Sequence, residues 1–208
     1  MQMRNRRSRR LTPNPELRNR PNGPPHDLFL YSQSFHKAAK KLAEAYETDP
    51  GPFSDLAARP VVFMYRHALE LHLKAIVLGE GGNFLATKPD PISIGKTHSV
   101  AWLAQFVAQI VTLLKWEPEF KCQGVENLDD FKAVVESVNS VDPGSYAFRL
   151  PVSAQGQGSF NVHEFARRMD ALLTLLYSTA DGLAAEWDLR AAGIEDEWRG
   201  GDFEPTIN

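Results

Sequence analysis

The stretch YRHALELHLKA, residues 65–75, has a sequence typical of a helix, but it contains an arginine and two histidines among its apolar residues. Helical periodicity extends on both sides of it, with Pro60 in the first turn and a glycine cluster at residues 79, 81 and 82 ending the helix. The expected main core stripe has about one residue per turn: Val61, Met64, Ala68, Leu71, Ala75 and Leu78. A second apolar flank predicts burial on two sides, one of them against a second copy of the chain.

Four more segments have helical periodicity, namely residues 27–46, 97–117, 127–138 and 161–187. Thr97 or Ser99 is expected to cap the second of them, and Asn161 the last, with Glu164 three residues later as in a capping box. Residues 142–160, rich in glycine, proline and serine, predict a long irregular loop, with a short strand pair within it as an alternative. The sequence therefore predicts an all-α, up-and-down bundle of about five helices.

The 208 residues divide into three parts by composition. Residues 27–188 are long enough for one helical domain with a single core, and residues 189–208 form an acidic tail. Residues 1–26 are expected to be a disordered basic arm. Its first twenty residues hold one acid, Glu16, and seven arginines: Arg4, Arg6, Arg7, Arg9, Arg10, Arg18 and Arg20.

The arginine-rich arm contrasts with the rest of the chain, which has 16 basic and 25 acidic residues. Such a charge density suits the phosphate backbone of a nucleic acid, and Arg4, Arg6, Arg7, Arg9 and Arg10 are the expected RNA-binding residues. Two other interpretations remain open, a solvated tail and an overlong gene start.

Composition also limits where in the cell the protein is expected and which kinds of chemical site it is expected to contain. The apolar runs are too short to span a bilayer, and no secretory signal is expected because no apolar segment of the signal-peptide type precedes the helices. A disulfide framework is excluded because Cys122 is the single cysteine. A cytoplasmic protein that does not enter a membrane is expected. The histidines are scattered and no phosphate-loop or dinucleotide pattern is present, so neither a metal site nor a cofactor is predicted.

Arg66 and His72 lie six residues apart, which on a helix places them about 9 Å apart along the axis and about 120° around it. A structural interpretation is open for each residue. Glu70 lies four residues from both Arg66 and Lys74, so an ion-pair ladder would account for all three charges. His72 would then be a core-edge histidine satisfied by one hydrogen bond, and His67 would be solvated.

The sequence RHALELHLKAIVLGEGG (66–82), followed by KTHSVAWLAQFV (96–107), resembles the paired-helix core of the HEPN superfamily. There, a helix that ends in a Leu-Lys-Ala-like turn leads through a loop to a Thr-His dipeptide, here Thr97 and His98, which opens the next helix. The segment YAFRLP (146–151), before the last helix, resembles a further element of that superfamily. The resemblance covers about residues 28 to 180.

This resemblance implies a helical homodimer, and many proteins of the superfamily are metal-independent ribonucleases or toxins that use an arginine, four to six residues and then a histidine. Arg66 and His72 fit that spacing, with His67 and His98 in supporting roles. His72 would take the proton of a ribose 2′-hydroxyl, and Arg66 would hold the scissile phosphate. The function implied is an endoribonuclease of a toxin–antitoxin or defence system, with an antitoxin or another operon-encoded partner.

Two other functions remain open. The first is a non-catalytic HEPN-like dimer that binds nucleotide, RNA or a partner protein, in which His98 and Arg149 are structural ties; Arg149 is also an expected phosphate-binding residue. The second is a purely scaffolding bundle.

Overall fold

The computed structural model describes residues 23–48, 54–141 and 161–193. Within these ranges the chain forms six α-helices, one 3₁₀ turn and no strand. The helices are α1 (Gly23–Thr48), α2 (Ser54–Leu78), α3 (Pro91–Lys96), α4 (Val100–Leu113), α5 (Leu128–Val141) and α6 (Val162–Ala191), and the 3₁₀ turn covers Glu80–Phe84. The predicted all-α class is confirmed, with the short α3 as an unpredicted sixth helix.

Helix α2 lies at the centre of the bundle and packs against α1, α4 and α6. Its largest fully buried apolar side chains are Tyr65, Leu69 and Leu73. Half of the predicted stripe is buried as well, and the other half is only half-buried; the buried members are Val61, Ala68 and Ala75, and the half-buried ones are Met64, Leu71 and Leu78. The predicted stripe is therefore right for half of its residues, and the largest buried side chains lie outside it. The flank that was expected to meet a second copy is buried within the single chain, because neighbouring helices cover α2 on several sides.

Helix α1 packs along α2 and also against α6, while α4 packs against both α2 and α5. One tie between α1 and α2 is a buried hydrogen bond from the Ser32 hydroxyl to the carbonyl of Ala68, 2.8 Å long. This packing leaves the opposite side of α1 exposed to solvent, including Lys37 and Lys41.

Several helix ends follow the local chemistry of the sequence. Ser99 caps α4 by accepting from the Trp102 amide, and Asn161 caps α6 by accepting from the Glu164 amide, as predicted. Pro60 does not lie in the first turn of its helix as predicted, because α2 begins at Ser54. At the glycine cluster after α2, a Cβ on residue 81 would lie 2.6 Å from the carbonyl oxygen of Ile76, so a larger residue would not fit without a shift.

The helical body extends slightly beyond its expected limits, from Gly23 in α1 to Ala191 in α6. In the described ranges, no helix combines the length and the apolar character that crossing a bilayer would require.

Candidate functional site

A charged network lies inside the fold on one side of α2. The Arg66 side chain has no exposed surface, and Glu70, one turn later, is 2% exposed. The Arg66 guanidinium donates to Glu70 Oε2 at 3.1 Å and to the backbone carbonyl of His98 at 2.7 Å. The guanidinium thus links α2 to the segment immediately before α4.

Glu70 is shared by two further side chains. Its Oε1 accepts from Lys74 Nζ at 2.9 Å and lies 3.1 Å from His98 Nδ1, while Lys74 also donates to the carbonyl of Gly95 at 3.1 Å. Burial alone raises the pKa of the Glu70 carboxyl, but the hydrogen bonds and charges of Lys74 and His98 outweigh it, and the net pKa is lowered. Glu70 is therefore the anionic centre of the network at neutral pH.

The network buries two cationic side chains, those of Arg66 and Lys74, and one carboxylate. The backbone carbonyls of Gly95 and His98 accept hydrogen bonds from the two cations and so offset part of the surplus positive charge. His98 lies at the edge of the network with 41% of its side chain exposed. The ion-pair ladder considered from the sequence is therefore present, and it extends to two residues of the α3–α4 region.

His72 occupies an apolar and aromatic environment on another side of α2. Its side chain has no exposed surface, and its ring centroid lies 4.5 Å from that of Tyr177 and 5.3 Å from that of Phe29. Burial lowers its pKa to about 4, although the Leu176 backbone acts in the opposite direction. Neither ring nitrogen makes a hydrogen bond of ordinary geometry, which differs from the expected core-edge histidine with one such bond.

Arg66 and His72 are not brought together at an accessible cleft in the described chain. Arg66 points toward residues 95–98, and His72 points toward α1 and α6. This arrangement agrees with their angular separation of about 120° on a helix. Both side chains are enclosed by their own chain.

The two supporting histidines differ in their surroundings. The His67 ring is half-buried, with centroids 4.4 Å from Phe35 in an edge-on arrangement and 5.7 Å from Phe63 in a stacked one. The prediction that His67 is solvated is therefore wrong, because aromatic side chains cover it. His98 contributes a backbone carbonyl and a ring nitrogen to the network around Glu70.

A second polar cluster, which the sequence did not suggest, joins three helices. Asp170 of α6 lies 2.7 Å from His36 Nε2 of α1 and accepts from the Tyr65 hydroxyl of α2 at 2.8 Å. His36 Nδ1 lies 3.0 Å from the hydroxyl of Tyr177. The His36 ring therefore contacts Asp170 through one nitrogen and Tyr177 through the other, and the tautomer sets which nitrogen donates.

The phenols of this cluster are held in their protonated form. Burial, followed by the hydrogen bond to Asp170, raises the pKa of Tyr65, and burial raises the pKa of Tyr177. The cluster is only partly accessible, since His36 is 14% and Asp170 31% exposed. Its clearest role is to fix the positions of α1, α2 and α6.

The remaining predicted RNA-contacting residues, Arg4, Arg6, Arg7, Arg9, Arg10 and Arg149, lie outside the residues that the structure describes. Within the described ranges, no group of three or more His, Cys, Asp or Glu side chains is arranged to hold a metal ion. No protein-family model, curated protein or solved structure matches this chain.

Proposed function

We propose that this protein is a non-catalytic HEPN-like helical domain that binds RNA through cationic residues outside its core. The observation that carries the proposal is the enclosure of Arg66 and His72, both without exposed surface. In this proposal the network around Glu70 stabilises the fold, and RNA is held at the surface.

A nuclease that used this pair would need an arginine against the scissile phosphate and a histidine able to take up a proton near neutral pH. Arg66 instead donates to Glu70 and to the His98 carbonyl. His72 has a pKa lowered to about 4, which makes it a weak base at pH 7. Withdrawing Arg66 would also leave a buried carboxylate short of one partner, a change that is strongly destabilising in other proteins. These contacts favour the non-catalytic alternative.

The RNA-binding part of the proposal rests on charge. Seven arginines in the first twenty residues precede a chain whose remainder is acidic, so cationic contacts are concentrated at one end of the sequence. Neutralising phosphates releases counterions and provides affinity with little sequence preference. The homodimer and the operon-encoded partner remain predictions. A dimer would have to use a surface other than the flank of α2 that the chain itself covers.

The test measures binding and cleavage in the same samples. The full chain is titrated into a fluorescein-labelled single-stranded RNA at two salt concentrations, and the RNA is then run on a denaturing gel. We expect binding that weakens steeply with salt, on the order of 10³-fold between 50 and 200 mM if all seven arginines engage, and intact RNA. Arg66→Ala and His72→Ala are run beside the wild type.

Two results would overturn the proposal. Cleavage by the wild type that is lost in folded Arg66→Ala or His72→Ala protein would establish the nuclease instead. An affinity for RNA that is undetectable, or independent of salt, would remove the RNA-binding role.

A further inference from the structure

The outward side of α1 carries a basic patch, and the carboxylate that comes first after it in the sequence is that of Glu44, one turn beyond Lys41. Residues 28–43 contain three lysines, Lys37, Lys40 and Lys41, and no acidic residue. All three lysines are exposed, and none of them makes an ion pair with another residue in the described ranges. Their charges are therefore available to a ligand.

The patch follows from the spacing of residues along the helix. Gln33, Lys37 and Lys41 recur every four residues, so they form a ridge with about 6 Å between successive side-chain origins. Ser32, Ala39 and Ala43 lie on the opposite side and are buried. The ridge consequently points away from the core, and its position is fixed by the packing of α1.

A shallow cavity of about 360 Å³ lies at one end of this ridge. It is lined by Leu30, Tyr31, Gln33, Ser34 and Lys37. The Tyr31 side chain is 51% exposed, so an aromatic ring stands beside a cationic group and an amide. Exposed aromatic rings next to lysines are the elements with which proteins hold single-stranded nucleic acids.

We infer that the outer face of α1 binds single-stranded RNA. Lys37 and Lys41 contact phosphates, one base stacks on Tyr31, and the amide of Gln33 hydrogen-bonds to the strand. This inference rests on the proposed RNA-binding function and places part of the contact on the folded body.

Charge complementarity and the cavity favour a single strand over other anionic partners. The bases of a duplex are stacked on one another and do not present a free face to Tyr31. A membrane-bound helix would insert its apolar side into the lipid, but the apolar side of α1 is already packed on α2. A strand with accessible bases matches both the lysines and the tyrosine.

The experiment titrates full-length protein into a fluorescein-labelled oligouridylate and into the same strand paired with oligoadenylate, over a range of salt concentrations. The phosphate variant is Lys37→Gln/Lys41→Gln, and the stacking variant is Tyr31→Ala. The control, Lys96→Gln/Lys121→Gln, removes the same charge from exposed lysines elsewhere.

We expect the phosphate variant to weaken oligouridylate binding. The slope of the logarithm of the binding constant against the logarithm of the salt concentration should become less steep by about 1.4, since each neutralised phosphate contributes roughly 0.7 to it. Tyr31→Ala should weaken oligouridylate binding roughly tenfold and leave duplex binding unchanged. The control should keep the wild-type slope.

The outcomes separate this inference from the proposed function. If both α1 variants bind as the wild type does, while Arg6→Ser/Arg7→Ser/Arg9→Ser/Arg10→Ser loses binding, the α1 surface is ruled out and the RNA-binding function stands. If the control weakens binding as much as the phosphate variant, net charge is the cause and the α1 surface is again ruled out. If the wild type does not bind RNA, the proposed function fails as well.

Discussion

Cationic side chains on α2 and on α1 have opposite surroundings. Arg66 and Lys74 of α2 are almost completely buried and share the carboxylate of Glu70. Lys37 and Lys41 of α1 are exposed, and neither makes an ion pair within the described ranges. The residue type therefore does not indicate the role, because a cation with buried partners stabilises the fold whereas an exposed and unpaired one is available to a ligand.

The largest expected effect comes from removing the anion that the buried cations share. Glu70→Gln keeps the shape of the side chain but leaves Arg66 and Lys74 without a counter-charge inside the protein. We expect the free energy of unfolding to fall by about 3–5 kcal/mol, as measured by urea denaturation at pH 7.

The matched control is Glu164→Gln on α6. Glu164 also contacts two arginines, Arg167 and Arg168, but on the surface, where solvent screens the charges. We expect its loss of stability to be much smaller than that of Glu70→Gln. Equal losses for the two variants would contradict the view that burial makes the network structural.

The second prediction compares one buried and one exposed lysine directly. Lys74→Met removes two hydrogen bonds made by a charged donor, and we expect it to lower the free energy of unfolding by about 1.5–3 kcal/mol. Lys37→Met is expected to change stability by less than about 0.5 kcal/mol, because the side chain is exposed and makes no ion pair with the part of the chain that the structure describes. Urea denaturation of both variants decides the matter, and a loss at Lys37 as large as that at Lys74 would remove the distinction between the two helices.

The network around Glu70 was only partly predictable from the sequence. The spacing of Arg66, Glu70 and Lys74 on one helix indicated their ion pairs, since residues four apart are neighbours on a helix. The carbonyls of Gly95 and His98 lie more than twenty residues away, and no local pattern indicates that they accept from these cations. The cluster of His36, Tyr65 and Asp170 was missed for the same reason, because its members come from three helices.

The fold was easier to predict than the orientation of its central helix. Periodicity and capping residues such as Ser99 and Asn161 indicated where helices form, because they act within one or two turns. Periodicity could not rank the two apolar sides of α2, because the helix is buried against several neighbours. Leu71 was therefore expected in the main stripe but is half-buried, whereas Leu69 is fully buried.

The third prediction is that acidic pH destabilises the fold, because His72 is buried in α2 in its neutral form. The pKa of His72 is about 4 in the folded chain and near 6.5 when unfolded, so the unfolded chain binds more protons between these values. Stability is therefore retained above pH 6.5 and lost as the pH falls toward 4, by about 2 kcal/mol between pH 7 and pH 5. Urea denaturation at both pH values measures this loss.

His72→Leu is the variant that isolates this effect, because leucine fills an apolar environment without titrating. The variant should lose about 2 kcal/mol less than the wild type over the same pH interval. The pKa of Glu70 is lowered from its ordinary value of 4.5, so protonation of Glu70 reduces stability only below the pH 5 to 7 interval. A wild type and a variant with the same pH dependence would show that His72 is not buried in its neutral form.

The smallest expected effect tests how α1 is held so that its lysines face outward. Ser32 donates a buried hydrogen bond to the Ala68 carbonyl of α2, whereas Ser34, two residues later, is exposed and donates to Leu30 of its own helix. Ser32→Ala should lower the free energy of unfolding by about 1 kcal/mol, because one buried hydrogen bond is lost while the Ala68 carbonyl can still accept within α2. Ser34→Ala should cause no loss, since alanine favours a helix more than serine does. Thermal unfolding followed by circular dichroism compares the two, and a greater loss for Ser34→Ala would mean that the Ser32 contact does not hold α1 in place.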